Sequence, residues 1–204
     1  METVYTNARL ILDDEVIDGT LTVRDGVIAA VDAGRAQAPS AIDCDGDFIA
    51  PGIVDLHTDA LEGHFVPRPK VFWPDARAAA LAHDGQTVAS GITTVFDAIC
   101  AGGFDQAKAE RRGPFELMLD AVGGGAGLFR APPLSPLRCE MTDPDLLALV
   151  EPALARSTLA FASLMDHTPG ARQWRNVDVL RGFLLGIGKD AGEAEREIAE
   201  RTAR

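Results

Sequence analysis

The chain has 204 residues, of which 47% are hydrophobic and 25% charged, and carries a formal net charge of −12. That length and apolar content suffice for a sizeable core in one large domain or a domain and a half. The acidic balance argues against a general binder of nucleic acid or anionic membrane, because phosphate backbones reward a surplus of Lys and Arg, but it leaves a phosphorylated small molecule open, since a few placed arginines set a local positive potential.

The first 50 residues read as short strands, forming a small antiparallel β unit too small to be stable alone. Val4 to Leu12 is rich in β-branched and aromatic residues and is broken by Asp13-Asp14-Glu15. Thr20–Arg24 and Val27–Val31 flank Asp25-Gly26, a dipeptide that favours a two-residue hairpin turn. A polar loop from Asp32 to Ser40 leads to a short strand near Ile42 and another at Phe48-Ile49-Ala50. METVYTNARL lacks the basic and apolar regions of a signal peptide. No window approaches the roughly 18 uninterrupted apolar residues of a membrane-spanning helix. Three widely spread cysteines, Cys44, Cys100 and Cys139, form no CxxC and suit a reducing cytosol better than a disulfide framework. A soluble, cytoplasmic protein is expected.

From Pro51 apolar strands alternate with helical stretches: Ile53–Leu56, then Ala76–Ser90; Ile92–Ile99, then Pro114–Val122; Leu137–Glu140, then Pro144–Arg156; Leu159–Met165, then Val177–Leu185 and Glu193–Arg204. Such alternation predicts βα units around a parallel sheet whose strands are covered on both faces. The run from Gly123 to Gly127 lacks the Lys-Ser/Thr of a phosphate-binding P-loop and follows a helix, so it reads as a flexible connection. Asp190 and Glu193 have the spacing of a capping box.

Candidate chemistry lies at the strand ends. His57 and Asp59, two apart after an apolar strand, project together. An imidazole nitrogen and a carboxylate oxygen suit Zn²⁺, Mn²⁺ or Fe²⁺; the alternative is a turn cap with a solvated histidine. Glu140 ends the third strand and is either a further ligand or a helix N-terminal acid beside Thr142-Asp143-Pro144. Cys139 points to the opposite side, as a buried apolar residue. Asp166 and His167 end the fourth strand, and His167 can be a ligand, an acid or base near neutral pH, a phosphate contact or a structural group. Arg172 and Arg175 follow in the same loop as a candidate phosphate clamp, and Arg68 and Lys70 stand in the loop after the first strand; singly, each cation is more often a surface charge. His64, in that loop, is a candidate for contact with substrate or for support of the metal ligands from behind. His83 reads as a core or surface residue, and Asp97 as lining the site or filling a polar layer.

PGIVDLHTDALE, PRPKVFW, ASGITTVFDA, LRCE and SLMDHTPGARQ follow one another in the order of one branch of the amidohydrolase superfamily. Along essentially its whole length the chain resembles the diphosphatases of phosphonate metabolism in that branch. The resemblance implies an α/β fold: a (β/α)₈ barrel carrying a small β-sandwich built from both ends of the chain. It implies hydrolysis of a phosphorylated ribose, the 1-methylphosphonate 5-triphosphate, to the 5-phosphate and pyrophosphate. His57, Asp59 and Glu140 would then bind a divalent metal (Zn, Mn or Fe), Asp166 and His167 would be catalytic, and His64, Arg68, Lys70, Arg172 and Arg175 would meet substrate.

A (β/α)₈ barrel takes about 250 residues, whereas only about four βα units are visible here and no histidine follows His167. The expectation is therefore residues 1–50 as a sandwich portion and 51–204 as the first half of a barrel. Such a chain is expected to be inactive alone and to pair with itself or with a missing C-terminal half. Another metal-dependent amidohydrolase, acting on acetamides or cyclic amides, and a non-catalytic half-barrel are the competing readings.

Overall fold

The first hairpin forms where its turn residues stand. In the computed structural model, which describes residues 1–68, 71–103, 106–125, 127–156 and 159–203, with the side chains of 106–113 and 160 outside that description, Asp25 and Gly26 have φ of 50° and 81°. Both values lie in the left-handed region, as a type I′ turn requires. The turn joins β2 (Val16–Arg24) to β3 (Val27–Ala33), and β2 also pairs antiparallel with β1 (Glu2–Ile11). Two short strands, β4 (Ile42–Asp43) and β5 (Phe48–Ile49), run parallel to β1 along its other side. A second Asp-Gly pair separates them, with Asp45 and Gly46 at φ of 51° and 79°. It faces a register shift in β1 at Asn7, itself at φ 56°, whose side-chain amide donates to Asp43 Oδ1 over 2.7 Å. Asn is one of the few residues that adopts this conformation at small cost.

These elements constitute one unit of the chain, Met1–Gly52, and its strands form a single five-stranded sheet with order β3-β2-β1-β4. Among the described residues this unit has one layer. Val27 and Ile28 of β3 are accordingly 68% and 63% exposed.

The second unit, Ile53–Arg204, contains β6 (Ile53–Thr58), α1 (Ala60–Phe65), α2 (Ala76–Ala89), β7 (Ile92–Asp97), β8 (Ile99–Ala101), α3 (Gln106–Gly123), β9 (Pro133–Glu140), α4 (Leu146–Ala153), β10 (Leu159–Met165), α5 (Val177–Gly186) and α6 (Ala191–Thr202). All strand pairings are parallel, in the order β10-β9-β7-β6 with β8 also on β9. The expected second strand is split at Ala98 into β7 and β8, and the Ala98 N–H donates to Thr58 O of β6 over 2.9 Å. Pro114 was the expected start of its helix, but α3 begins at Gln106 and carries the proline inside.

The main core joins Leu61 and Phe65 of α1, Ala79 and Ala80 of α2, Phe115, Met118 and Leu119 of α3, and Leu137 and Cys139 of β9. Coverage on both faces holds for β9 from Ser135 onward but fails at the outer strands: Ile53, Val54 and Leu56 of β6 are 56%, 54% and 67% exposed, and Leu164 of β10 is 67% exposed. An open sheet leaves its outermost strands without a neighbour on one side. The last two helices do not join this core. They bury Leu180 and Leu184 against Ala194 and Ile198 in a cluster of their own, with the predicted Asp190–Glu193 capping box starting α6. No helix among the described residues is long and apolar enough to cross a membrane.

A buried carboxylate fixes the entry to β9. Asp84 on α2 accepts the backbone N–H of Ala131 over 2.9 Å and that of Arg130 over 3.1 Å. Asp84→Ala leaves both donors without acceptors, so it should lower stability by about 1–3 kcal/mol, read as an earlier midpoint in urea unfolding followed by far-UV circular dichroism.

Candidate active site at the strand ends

The first candidates emerge together from the end of β6. His57 is the penultimate residue of the strand and Asp59 precedes α1, and their side chains approach to 3.7 Å (Nε2 to Oδ1). Asp59 also receives Arg138, whose Nη1 donates to Asp59 Oδ2 over 2.8 Å. The other arm of that guanidinium, Nη2, donates to Glu140 Oε1 over 3.1 Å. Glu140 Oε2 lies 2.6 Å from His167 Nδ1. One line of contacts, His57–Asp59–Arg138–Glu140–His167, thus links β6, β9 and the end of β10.

Strand geometry builds the centre of this line. Arg138 and Glu140 are two apart on β9 and share a face, while Cys139 between them turns into the main core. Burial, and then the neighbouring Glu140 charge, push the Cys139 thiol up from its ordinary value. Burial by itself would push the Arg138 guanidinium down, but Asp59, Cys100 and Glu140, with the hydrogen bond to Asp59, hold it above the ordinary arginine value. Loops brace the same end of the sheet. Asp143 accepts the N–H of Gly103 over 2.7 Å, and at Gly102, where φ is +85°, an added Cβ would come within 3.0 Å of the Asp143 side chain. Glu62, buried on α1, accepts the N–H of Cys100 over 3.1 Å.

The remaining candidates are placed differently. His64 was expected in a loop facing substrate. It lies on α1, with Nε2 3.0 Å from Gln86 Oε1 of α2 and its ring 5.2 Å from that of His83. His83 is buried against Asp97, Nε2 to Oδ1 2.9 Å, in a misaligned contact that gives neither side chain a hydrogen bond. Asp97 therefore takes the polar-layer alternative. Arg172 and Arg175 do not form a clamp: Arg172, at φ 43°, is 80% exposed and stands 3.9 Å from Asp166, and Arg175 is exposed. Arg68 is exposed, and Lys70 lies outside the described residues. Arg138 and Glu62 were not among the sequence candidates. The period of two along β9 would have drawn attention to Arg138, since it must share the face of Glu140.

The donor types at the strand ends, two imidazoles and two carboxylates, match the preferences of borderline divalent ions. Their arrangement does not: among the described residues no group of three or more His, Cys, Asp or Glu side chains is placed to hold a metal, and a guanidinium stands between the two carboxylates.

Comparison with known proteins supports the amidohydrolase superfamily for this chain. It is similar to α-D-ribose 1-methylphosphonate 5-triphosphate diphosphatase of Escherichia coli (strain K12), with 39% identity over 185 residues, 90% of this chain and 48% of that protein. The chain thus spans about half the length of that relative. L-hydantoinase of Paenarthrobacter aurescens is 30% identical over 98 residues, 47% of this chain and 20% of the hydantoinase. No family model matches. In fold, the chain is similar to N-isopropylammelide isopropylaminohydrolase from Burkholderia multivorans ATCC 17616, with TM-score 0.50 and 18% identity over 100% of this chain and 58% of that one. N-acetyl-D-glucosamine-6-phosphate deacetylase from Mycobacterium smegmatis gives TM-score 0.50 and 18% identity, with 98% and 53% coverage.

Hydrogen bonds from Thr168, first its side chain and then its backbone N–H at 3.1 Å, hold the Asp166 carboxyl below its ordinary range, with smaller help from Arg172 and His167. Its stabilising bonds are therefore present above the ordinary aspartate value and are lost as pH falls through the depressed one. A carbon-13 NMR titration should place the Asp166 midpoint below the model-peptide value of about 3.9, and Thr168→Val should move it upward.

Proposed function

We propose that these strand ends form part of the active site of a hydrolase that converts α-D-ribose 1-methylphosphonate 5-triphosphate to the 5-phosphate and pyrophosphate. The single observation that carries the chemistry is the line from Asp59 through Arg138 and Glu140 to His167. The similarity to the diphosphatase supports the substrate.

The reaction adds water across the anhydride bond between the α and β phosphates. A water oxygen bonds to phosphorus, the bridging oxygen leaves with pyrophosphate, and the proton shed by water needs an acceptor. His167 is assigned that role. Glu140 engages Nδ1, which leaves Nε2 for proton transfer and fixes the ring. Asp166, adjacent to it, orders the loop through Thr168. Arg138 supplies positive charge at the site, where charge gathers on phosphate oxygens. Arg68, Arg172 and Arg175 are exposed and are assigned to the polyphosphate tail, with Lys70 beside Arg68 in sequence. His64, held by α2, is withdrawn from direct substrate contact. His57, Asp59 and Glu140 remain the residues assigned to a divalent ion, but no step is drawn through it in the present arrangement.

In this reading the parallel sheet is part of a (β/α)₈ barrel, the Met1–Gly52 sheet is one layer of a sandwich, and the protein works in the cytoplasm. The chain is assigned a share of the catalytic centre, completed by a second half or by a second copy. Incubated alone with the ribose triphosphate and Mn²⁺ or Zn²⁺, it should release no pyrophosphate by phosphorus-31 NMR. Release should begin when the part of the Escherichia coli diphosphatase that the chain does not cover is supplied as a separate polypeptide, and hydantoin should stay intact. Turnover by the chain alone overturns the shared centre; hydantoin opening without pyrophosphate release overturns the substrate.

A further inference from the structure

The chain carries the Asp-x-x-Glu spacing of a capping box at two helix starts, and the two are used differently. At α6, Asp190 and Glu193 close the box. At α1, Asp59 and Glu62 hold the same positions relative to the helix start, yet the Asp59 side chain makes no cap hydrogen bond. Both carboxylates reach across to neighbouring strands instead. Arg138 Nη1 donates to Asp59 Oδ2 over 2.8 Å, and the backbone N–H of Cys100 donates to Glu62 Oε1 over 3.1 Å. The two donors belong together: where β8 runs beside β9, Cys100 is the ladder partner of Arg138. Two acids three residues apart at the start of α1 therefore grip the two members of one ladder position.

We propose that Glu62 is a positioning residue of the strand-end site: through the Cys100 N–H it fixes the start of α1 against β8 at the level of Arg138, and so holds Asp59 within reach of the guanidinium. Burial divides the two roles. Glu62 is buried on α1 between Leu61 and Phe65, which anchor the helix in the main core, whereas the Asp59 side chain is half exposed. The enclosed carboxylate is the anchor, and the exposed one is the group presented. Cys100 also turns its Sγ toward Glu140 Oε1, 3.9 Å away, so a displacement of β8 reaches Glu140 as well as Asp59, the two acids that Arg138 joins. A helix start that forgoes its side-chain cap leaves backbone N–H groups without that partner, and such departures from a local rule belong to places where the groups are needed elsewhere. Length is the property that matters at position 62. An aspartate there keeps the charge but falls one methylene short of the Cys100 N–H, while a glutamine keeps an acceptor oxygen at the same reach. The inference rests on the reading of the line from Asp59 to His167 as the catalytic one.

The test reads the guanidinium and not turnover, so it stands apart from the pyrophosphate assay. In nitrogen-15 NMR of the full chain, the two Nη atoms of Arg138, each held by a different carboxylate, should give separate signals that rotation about the Nε–Cζ bond exchanges. Glu62→Ala should speed that rotation at least tenfold, and Glu62→Asp at least fivefold. Glu62→Gln should stay within twofold of the unaltered chain. Leu119→Ala, which opens the main core at α3, should bring an earlier urea midpoint yet leave the rotation within twofold, because it weakens the fold without touching the anchor. Should Glu62→Ala fail to fold, judged by near-UV circular dichroism, the aspartate and glutamine variants decide. The proposal is overturned by any of three results: unchanged rotation in a folded Glu62→Ala or Glu62→Asp chain, rotation in Glu62→Gln as fast as in the aspartate variant, or an equal acceleration by Leu119→Ala, which marks Glu62 as a merely structural group.

Discussion

A carboxylate with no exposure to solvent, Glu140, sets the terms for the strand ends. An ionised group taken out of water costs several kcal/mol even after the protein relaxes, and only well-placed partners offset that. Arg138 and His167 are two such partners, at 3.1 and 2.6 Å. Because Arg138 is anchored on β9 itself, the compensation for Glu140 extends outward to Asp59 at the end of β6, and through His167 to the segment leaving β10. The contacts that make burial tolerable are thus the ones that draw three strand ends to a common point. Stability of the charge and assembly of the site are one constraint here.

Much of this was legible in the chain because it rests on local rules. Asp25-Gly26 dictates a hairpin through left-handed φ values alone, and Asp190 with Glu193 caps α6 through a contact three residues long. The period of two correctly sent Cys139 into the core, with Glu140 on the opposite face beside Arg138. What was not legible depends on partners distant in sequence. Arg138 meets Asp59 across 79 positions, and His64 turns toward Gln86 because α2 packs on α1. The arginines after His167 looked like a clamp by spacing, but the loop conformation, with Arg172 in the left-handed region, leaves them apart in solvent. The break between β7 and β8 also escaped notice, since the residues from Ile92 to Ile99 carry no turn signal at Ala98.

The apolar strands show a related limit of pattern reading. Ile53, Val54 and Leu56 have the composition of a strand covered on both faces, yet they are more than half exposed on β6, while Leu137 on β9 is 1% exposed. Composition reports what a strand is suited to, and position in the sheet decides how much of it is met. In an open parallel sheet the outermost strands keep unsatisfied edges and apolar side chains, features that natural sheets ordinarily cover. The polar site lies at the ends of these same strands, so its first two members, His57 on β6 and Asp59 after it, are the least enclosed of the line, with side chains 43% and 49% exposed.

Two imidazole–carboxylate pairs in the second unit separate structural from chemical roles. His83 and Asp97 are 6% and 0% exposed, contributed by α2 and β7, and their contact is misaligned. A base buried to that degree meets solvent far less than one held at a strand end, whatever its proximity to an acid. His167 keeps 16% of its side chain exposed, at a strand end, and holds Glu140 through Nδ1 with a well-formed hydrogen bond. That commits one nitrogen, Nδ1, and leaves the proposed proton transfer to Nε2, the division of labour that general acid–base chemistry needs. The same two residue types therefore act as packing in the layer between α2 and β7 and as candidate chemistry at the end of β10, and access to solvent is what divides them.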